Sequence, residues 1–516
     1  MKNIKTRLLT FLLTGVCIFM MTSCSSSTNR AITPSDLPTA APTAVPTAQP
    51  PEKKDLFPLI YKEGLSTAGD DTLKLLDEYA ADMKSYIINT PSNYKGAQSG
   101  TKYYFSENGL SSNDGLSPET PKNSLFDLEH NIQLKPGDVV LFERGSMFRG
   151  TITARTGVTY SAYGEGAKPI ICGSTEDYAA AVYWKESDYE NVYICTKKIN
   201  NAGNIVFNNT WTLGDYDQIL GNLRVLNLDG FKGPQDLDKD LDFYCDLETE
   251  TLYLYSSEGN PGERFDSIEI CENKDIFDVT NVKNIIIDNL HLTLGGAHGI
   301  GAVNANNLTV RNCIFNWIGG SVQYDTTRYG NAVESYVESH DFYVYNNWIY
   351  QIYDTGITTQ FNAGEETIRS EMYDNEYYYN LIEYCFWSFE YFHRPTETSE
   401  CVTDNIYVHD NFCRMGGEGW GRPSAGHMCC FAPSGETVEN VKIERNIFDR
   451  GHAFLVSTYD ADVSLIDYSE NIYVQTEGEL VARICNTNYY MDENVLETFT
   501  SLVGDERACV ICVSDN

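Results

Sequence analysis

The stretch YNNWIY at residues 345–350 is the clearest of seven segments that share one pattern and together decide the fold. Each segment places an asparagine between a short alternating strand and a second apolar run. The asparagines are Asn289, Asn312, Asn347, Asn380, Asn411, Asn446 and Asn471. Intervals of 23, 35, 33, 31, 35 and 25 residues are typical of stacked coils whose corner asparagines hydrogen-bond to one another. The pattern predicts an all-β solenoid with loops added to its middle coils.

Upstream of these segments, the chain carries motifs that resemble a known superfamily. They are SSNDGLS (111–117), PGDVVLF (136–142) and ERGSMFRG (143–150). Together they resemble the opening of right-handed parallel β-helix proteins of the pectate-lyase-like superfamily. The resemblance covers roughly residues 101–173 and 273–490 and implies a right-handed parallel β-helix. Because lyases, hydrolases and adhesins share this fold, the motifs alone do not choose a function.

Composition and pattern divide the chain into six segments. The apolar residues of 71–88 share one helical face and predict an N-terminal helical cap over the open end of the solenoid. The strands of 174–272 lack ladder asparagines, and this segment resembles the β-sandwich insertion of β-helix glycoside hydrolases such as families 120 and 141. The predicted segments are a lipoprotein signal peptide (1–23), a Pro/Thr/Ala-rich linker (24–54), the helical cap (55–100), the start of the β-helix (101–173), the inserted subdomain (174–272), and the remaining coils with a C-terminal cap (273–516).

The first residues predict export and anchoring. Three basic residues precede the apolar run 8–20, which is followed by MTSC at 21–24. This resembles a bacterial lipoprotein signal and implies lipidation of Cys24, so that the protein is extracytoplasmic and touches the membrane only through that lipid. An ordinary secretory signal is the alternative. A formal charge of −36 argues against nucleic acid as a partner, and we expect a monomer.

Three acidic residues are the predicted catalytic group. Alignment of the long coils puts Glu334, Thr358 and Glu390 at equivalent outward positions on three consecutive coils, with Asp354 in the turn of the middle coil. The two glutamates are then about 9–10 Å apart at their backbones. Glycoside hydrolysis needs a pair of carboxyl groups. We predict Asp354 as nucleophile or base, Glu390 as general acid, and Glu334 as an orienting group or alternate acid; the competing interpretation is a set of solvated carboxylates.

Aromatic and hydrogen-bonding side chains beside the long loops suit a sugar ligand, because planar groups stack on sugar rings at little cost in entropy. A single CxxC at 509–512 does not make a metal site, so no metal is predicted. The predicted substrate-binding residues are Arg328, Tyr329, Tyr353, Gln360, Trp387, His393, Arg394, Trp420, Arg422 and His427.

Three functions remain open from the sequence. The leading one is a surface-anchored glycoside hydrolase that cleaves polysaccharides without a cofactor; the resemblance to families 120 and 141 implies xylan- or fucose-containing substrates. A polysaccharide lyase acting on a uronate-containing glycan would instead recruit Arg394, Arg422 or His427 and add a requirement for Ca²⁺. A non-catalytic glycan-binding surface protein is the third.

Overall fold

The computed structural model describes residues 53–92, 94, 100–362, 369–394, 399–421, 425–431, 436–458 and 463–514. The predicted signal peptide, Cys24, most of the linker and Arg422 lie outside these ranges. The described chain forms a parallel β-helix, which confirms the predicted fold class. Each complete coil contributes one strand to each of three sheets. The sheets are numbered so that the chain passes through sheet 2 first, then sheet 1, then sheet 3. Among the described residues, no helix is long and apolar enough to cross a bilayer.

The three sheets stack corresponding strands of successive coils in parallel; one antiparallel pair closes sheet 3. In spatial order, sheet 1 contains Gly64–Thr67, Cys509–Val513, Ile472–Thr476, Ile447–Gly451, Phe412–Gly416, Leu381–Glu383, Trp348–Ile352, Ile314–Ile318, His291–Thr293, Ile170–Cys172 and Met147–Arg149. Sheet 2 contains Lys102–Phe105, Val139–Glu143, Thr159–Tyr163, Lys283–Asp288, Asn306–Arg311, His340–Tyr345, Arg369–Tyr378, Glu400–His409, Glu436–Glu444 and Ile466–Ser469. Sheet 3 contains Thr487–Tyr490, Leu480–Ile484, Val456–Thr458, Gly426–Phe431, Trp387–Arg394, Thr355–Asn362, Val333–Tyr336, Ile300–Val303, Phe277–Asp278 and Ile152–Thr153.

The solenoid core is built from one side of every strand. Successive strand residues point to opposite faces, and the inward residues of all three sheets join a single apolar cluster. In sheet 2, one column of these residues passes through seven coils in register. The apolar residues of one coil are buried because equivalent residues of the next coil pack on them. The core is therefore stable only when several coils stack. The column consists of Ile287, Val310, Val344, Tyr377, Val408 and Ile443, and Tyr468 continues it.

The buried asparagine ladder is shorter than the sequence predicts. Side-chain amides link Asn347, Asn380, Asn411, Asn446 and Asn471 at 2.9–3.1 Å, and the ladder ends on the buried carboxylate of Asp505.

The prediction that Asn289 and Asn312 belong to the ladder is wrong by one position. Strand register aligns them with Asn346, and all three have positive φ, 53–59°. Leu290 and Cys313 take the ladder position in those coils. Asparagine suits both places because its side chain bridges buried backbone groups and also tolerates the left-handed conformation.

The inserted subdomain is a small sandwich. Ile219–Leu220, Ala202–Phe207 and Ile268–Glu272 form one sheet, and Asn222–Leu223, Asp242–Asp246, Thr251–Tyr255, Val192–Cys195 and Trp184–Glu186 form the other. Residues of both sheets share one apolar core. Short helical turns at Ala181–Tyr183, Pro234–Asp236 and Pro261–Arg264 connect them. Asn201 exchanges two hydrogen bonds with the backbone of Val322, which fastens the subdomain to the hairpin of Ser321–Tyr324 and Thr327–Tyr329.

The N-terminal helix exists but lies in a different place from the predicted one. Asp70–Asn89 buries Leu76, Tyr79, Ala80, Met83 and Ile87 against the outer face of sheet 1. With Phe57–Ile60 and the strand Gly64–Thr67, which pairs with Cys509–Val513, it forms a strap along the side of the solenoid. The strap replaces the predicted end cap because the outward residues of sheet 1 are apolar there and need cover.

Short helices close the two ends of the core. Leu125–His130 places Leu125 and Leu128 in the core cluster beside the first coils. At the other end, Val495–Glu497 and the π-helical Thr498–Val503 bury Val495, Phe499 and Val503 in the same cluster. A final 3₁₀ turn, Val463–Leu465, precedes the last strand of sheet 2.

Candidate active site

The acidic residues lie on the outer face of sheet 3. Strand register pairs Glu334 with Thr358 and Thr358 with Glu390 on three neighbouring strands. Val333, Ile357 and Phe389, each one residue earlier, belong to the core. Because side chains alternate, the two glutamates and Thr358 point away from the core, with the glutamates two strand spacings, about 10 Å, apart at their backbones. This is the register that the sequence predicts.

Asp354 sits at the start of the middle strand, and backbone hydrogen bonds to both neighbouring coils hold it there. Its N–H donates to the carbonyl of Gly330 at 3.2 Å, and the N–H of Trp387 donates to its carbonyl at 3.1 Å. Its negative charge raises the pKa of both Glu334 and Glu390. The three carboxyl groups therefore form one electrostatic unit.

Glu390 is the group with the clearest perturbation. Burial, and after it the charge of Asp354, raises its pKa to about 8, while a hydrogen bond from the Thr358 hydroxyl at 3.5 Å acts in the opposite direction. Desolvation disfavours the charged carboxylate, and a neighbouring negative charge disfavours it further. At neutral pH Glu390 is therefore mainly protonated, the state that a general acid requires.

Glu334 has a partner that the sequence analysis missed. His298 Nδ1 accepts a hydrogen bond from the Asn331 backbone N–H at 3.1 Å, so its Nε2 carries the proton that faces Glu334 Oε2 at 3.2 Å. Burial raises the pKa of Glu334, and His298 opposes that shift. The tautomer of His298 is thus set by the backbone, which leaves it as a fixed donor to Glu334.

A fourth carboxyl group, Asp275, extends the acidic column. It accepts the backbone N–H of His298 at 3.1 Å, and burial raises its pKa. Its carboxylate occupies the space where a side chain at Gly301 would lie, and Gly301 is in register with Glu334. Extending the predicted column by one coil would have reached Gly301, whose missing side chain is the only sequence signal for this neighbour.

Two of the predicted substrate-binding residues lie on the same outer face. Gln360 follows Thr358 by two residues and stands in register between Tyr336 and Phe392. Arg394 follows Phe392 by two residues and is exposed. Both therefore continue the face that carries the acidic residues.

Four predicted residues form a wall beside the acids. Tyr353 is 4% exposed, with the Arg328 guanidinium 4.4 Å and the Trp420 ring 5.0 Å from its own ring. Arg328 donates to the carbonyls of Gly320 and Gly203, and the Trp420 indole donates to that of Gln351. Tyr353 is thus enclosed, which corrects the prediction that it binds substrate. Arg328 and Trp420 are half-buried and hold the hairpin, a loop and the insertion together, and their predicted role in substrate binding stays a prediction. Tyr329 is half-buried on the hairpin and close enough to raise the pKa of Tyr336.

Three further predicted residues are enclosed by the protein. Trp387, 5% exposed, packs with Ala425 and Cys429. His393 and His427 are fully buried, and burial lowers their pKa values to about 3 and about 4. These positions correct the prediction that they line a cleft. His393 has the inward parity of Phe389, and His427 bonds to Ser388 and the Arg450 carbonyl.

Within the described residues, no group of three or more His, Cys, Asp or Glu side chains is arranged to hold a metal ion. Their thirteen cysteines are all free thiols, eleven of them buried.

Comparison with known proteins gives distant structural similarities only. The structure of XylC with xylose has a TM-score of 0.40 and 13% identity, over 80% of this chain and 83% of that one. A GH136 lacto-N-biosidase from Eubacterium ramulus has a TM-score of 0.33 and 14% identity, over 87% of this chain and 71% of that one. A family 28 exopolygalacturonase from Yersinia enterocolitica has a TM-score of 0.33 and 11% identity, over 83% of this chain and 80% of that one. No protein-family model and no curated protein matches the chain. At these values the fold assignment follows from the strand register described above.

Proposed function

We propose that this protein is a glycoside hydrolase that cleaves glycosidic bonds of a polysaccharide on the outer face of sheet 3. The observation that carries the proposal is the pair of Glu390 and Asp354: a carboxyl group with a pKa of about 8 beside a second carboxyl group whose charge helps to raise it. Glycosidases need this combination of a protonated acid and an ionised partner.

In the proposed reaction Glu390 donates its proton to the glycosidic oxygen as the bond to the anomeric carbon breaks. Asp354 either attacks that carbon or removes a proton from the attacking water, and both routes end with water added across the bond. Glu334, fixed by the Nε2–H of His298, orients the substrate. Each residue acts from a rigid strand or strand end, which keeps the carboxyl groups in place without induced ordering.

We also propose that the enzyme is a monomeric lipoprotein, anchored at the cell surface through Cys24 and free of nucleic-acid partners. The sequence of residues 1–24 supports the lipid anchor, and the formal charge of −36 supports the absence of nucleic-acid partners. Metabolic labelling with a radioactive fatty acid tests the anchor: wild-type protein incorporates label and the Cys24→Ala variant does not.

Reducing-end release from a panel of polysaccharides, with and without chelator, tests the activity. Wild type is compared with Glu390→Gln and Asp354→Asn, and with Glu477→Gln, an exposed carboxylate on a distant turn, as control. We expect chelator-insensitive release by wild type and the control, and a loss of at least a hundredfold in both site variants.

Two outcomes contradict the hydrolase. Chelator-sensitive products with absorbance from a new double bond, retained in the variants, would make the protein a lyase. Binding of a glycan without any product from wild type would make it a non-catalytic binder.

A further inference from the structure

A second column of outward residues runs beside the acidic one on sheet 3. Strand register places Tyr336, Gln360 and Phe392 side by side, each two residues after Glu334, Thr358 and Glu390 in turn. In the second column, the middle strand bears Gln360, which has no ring and stands between two aromatic side chains. At the second column, where all three side chains are half-buried, Gln360 therefore forms the floor of a trough and the two aromatic residues form its walls.

The spacing of the second column suits a sugar ring. Tyr336 and Phe392 are two strand spacings, about 10 Å, apart at their backbones. A pyranose between two aromatic rings needs a contact of roughly 4 Å on each side. The amide of Gln360, below that gap, offers both a donor and an acceptor to sugar hydroxyls.

Each ring is held by a contact with an adjacent strand, which for Tyr336 is the middle strand and for Phe392 is the strand on its other side. The Tyr336 hydroxyl donates to the Asn362 carbonyl at 3.1 Å. Phe392 stacks on Phe431 of the next strand, with ring centroids 4.9 Å apart and ring planes 23° from parallel. The stack uses the face of Phe392 that looks away from Gln360. Each of these rings is half-buried and lies outside the apolar core.

Charge limits the ligand that fits this face. Asp354 at the neighbouring column exerts a negative charge that raises the pKa of Glu334 and Glu390, and the chain carries a formal charge of −36. A glycan whose sugars bear carboxylates would be repelled there. A neutral glycan is not subject to this electrostatic repulsion, and the C–H faces of its sugars can stack on the aromatic rings.

We infer that a neutral glycan chain lies along the strand Thr355–Asn362, across the axis of the solenoid, with one sugar over Gln360 between Tyr336 and Phe392. The inference rests on the proposed hydrolase, since it sets the scissile bond at the acidic column and the next sugar at the aromatic one. The two columns are about 6.6 Å apart along the strand, comparable to one sugar unit. The ligand class is thus a neutral oligosaccharide or polysaccharide of at least two sugars.

Calorimetric binding to the full chain carrying Glu390→Gln tests this without turnover. The probes are cellohexaose, xylohexaose and laminarihexaose as neutral chains, and hexagalacturonate as the charged one. We expect at least one neutral chain to bind and hexagalacturonate not to bind. Adding Phe392→Ala or Tyr336→Ala should weaken the neutral chain about tenfold, the loss of roughly one stacking contact.

Two controls separate loss of the subsite from loss of folding. Phe392→Tyr keeps the ring and should keep the affinity. Tyr343→Ala removes a ring from the outer face of sheet 2, where Tyr343 is 36% exposed, and should also leave it unchanged.

Unchanged affinity in both Phe392→Ala and Tyr336→Ala overturns the inference, as does binding of hexagalacturonate alone or of no probe. The proposed hydrolase fails in a different way. If wild type forms no product from a neutral chain that Glu390→Gln binds through these rings, the subsite stands and the catalysis does not. If wild type forms product and the ring variants keep its kcat/KM, the catalysis stands and the subsite does not.

Discussion

At the scale of single residues, the site depends on one small side chain between two acidic ones. Thr358 is fully buried between Glu334 and Glu390, which flank it on the two neighbouring strands. The Thr358 hydroxyl also donates to Glu390 and partly offsets the effect of burial on its pKa. The residue therefore separates the two acids and adjusts the pKa of Glu390.

Substitution Asp354→Asn should lower the pKa of Glu390 from about 8, because it removes the second-largest cause of the increase and leaves burial in place. The value should remain above the ordinary 4.5. A carboxyl ¹³C NMR titration of selectively labelled protein measures it. As the basic limb of kcat/KM reports loss of this proton, residual activity should decline at lower pH than in wild type.

Thr358→Val is the matched control with the opposite sign. It keeps the shape of the side chain but removes the donor that lowers the pKa of Glu390, so that pKa should rise. Identical titrations of Glu390 in wild type and Asp354→Asn would show that Asp354 does not act on it.

At the scale of elements, the corner between sheets 2 and 1 is fixed by the asparagine ladder. Asn411 accepts hydrogen bonds from the backbone and side chain of Asn380 and donates to the Tyr377 carbonyl and to Asn446, all at 2.8–3.0 Å. These groups are buried, so a removed amide would leave its partners without a hydrogen bond. Each coil thereby positions the strand that follows it.

Asn411→Ala should lower the free energy of unfolding by about 3 kcal/mol, because a buried polar group left without its partner costs about 1–3 kcal/mol and more than one is affected. Urea unfolding measures the change. The exposed Asn108→Ala is the control and should stay within about 0.5 kcal/mol of wild type. Equal losses in the two variants would mean that the ladder does not stabilise the fold.

At the scale of the whole molecule, a stack of coils is stable only if its ends are closed. Phe499 is fully buried, and its ring lies 3.8 Å from that of Tyr473 at the C-terminal end of the core. The strap on sheet 1 adds a second constraint, since Gly64–Thr67 pairs with Cys509–Val513 from the far end of the chain. The first and last described strands of the chain thus meet in one sheet edge.

Phe499→Ala should cost about 3–5 kcal/mol of stability, the usual range for an aromatic residue removed from a core. It should also promote association, because it opens apolar surface at the end of the stack. Urea unfolding and light scattering measure the two effects. Leu502→Ala, 37% exposed in the same segment, is the control; if it behaves like Phe499→Ala, burial at the end of the core is not the cause.

Side-chain alternation and corner spacing were enough to predict the parallel β-helix and the register of Glu334, Thr358 and Glu390. Both follow from local backbone geometry that repeats in every coil. The same reasoning misplaced Asn289 and Asn312 by one residue, since asparagine serves equally well at the left-handed position and at the ladder position beside it.

Which segments cover each coil, and so which side chains are buried, was decided by the tertiary structure alone. His298 and Asp275 act on Glu334 from the two preceding coils, and Tyr353 is covered by residues far away in the chain. The helix Asp70–Asn89 lies on sheet 1 because of the apolar surface there. The sequence by itself determined what repeats from coil to coil, because hydrogen-bond geometry is local; what covers each coil, and so the pKa of Glu390, depends on contacts between distant segments that no short pattern encodes.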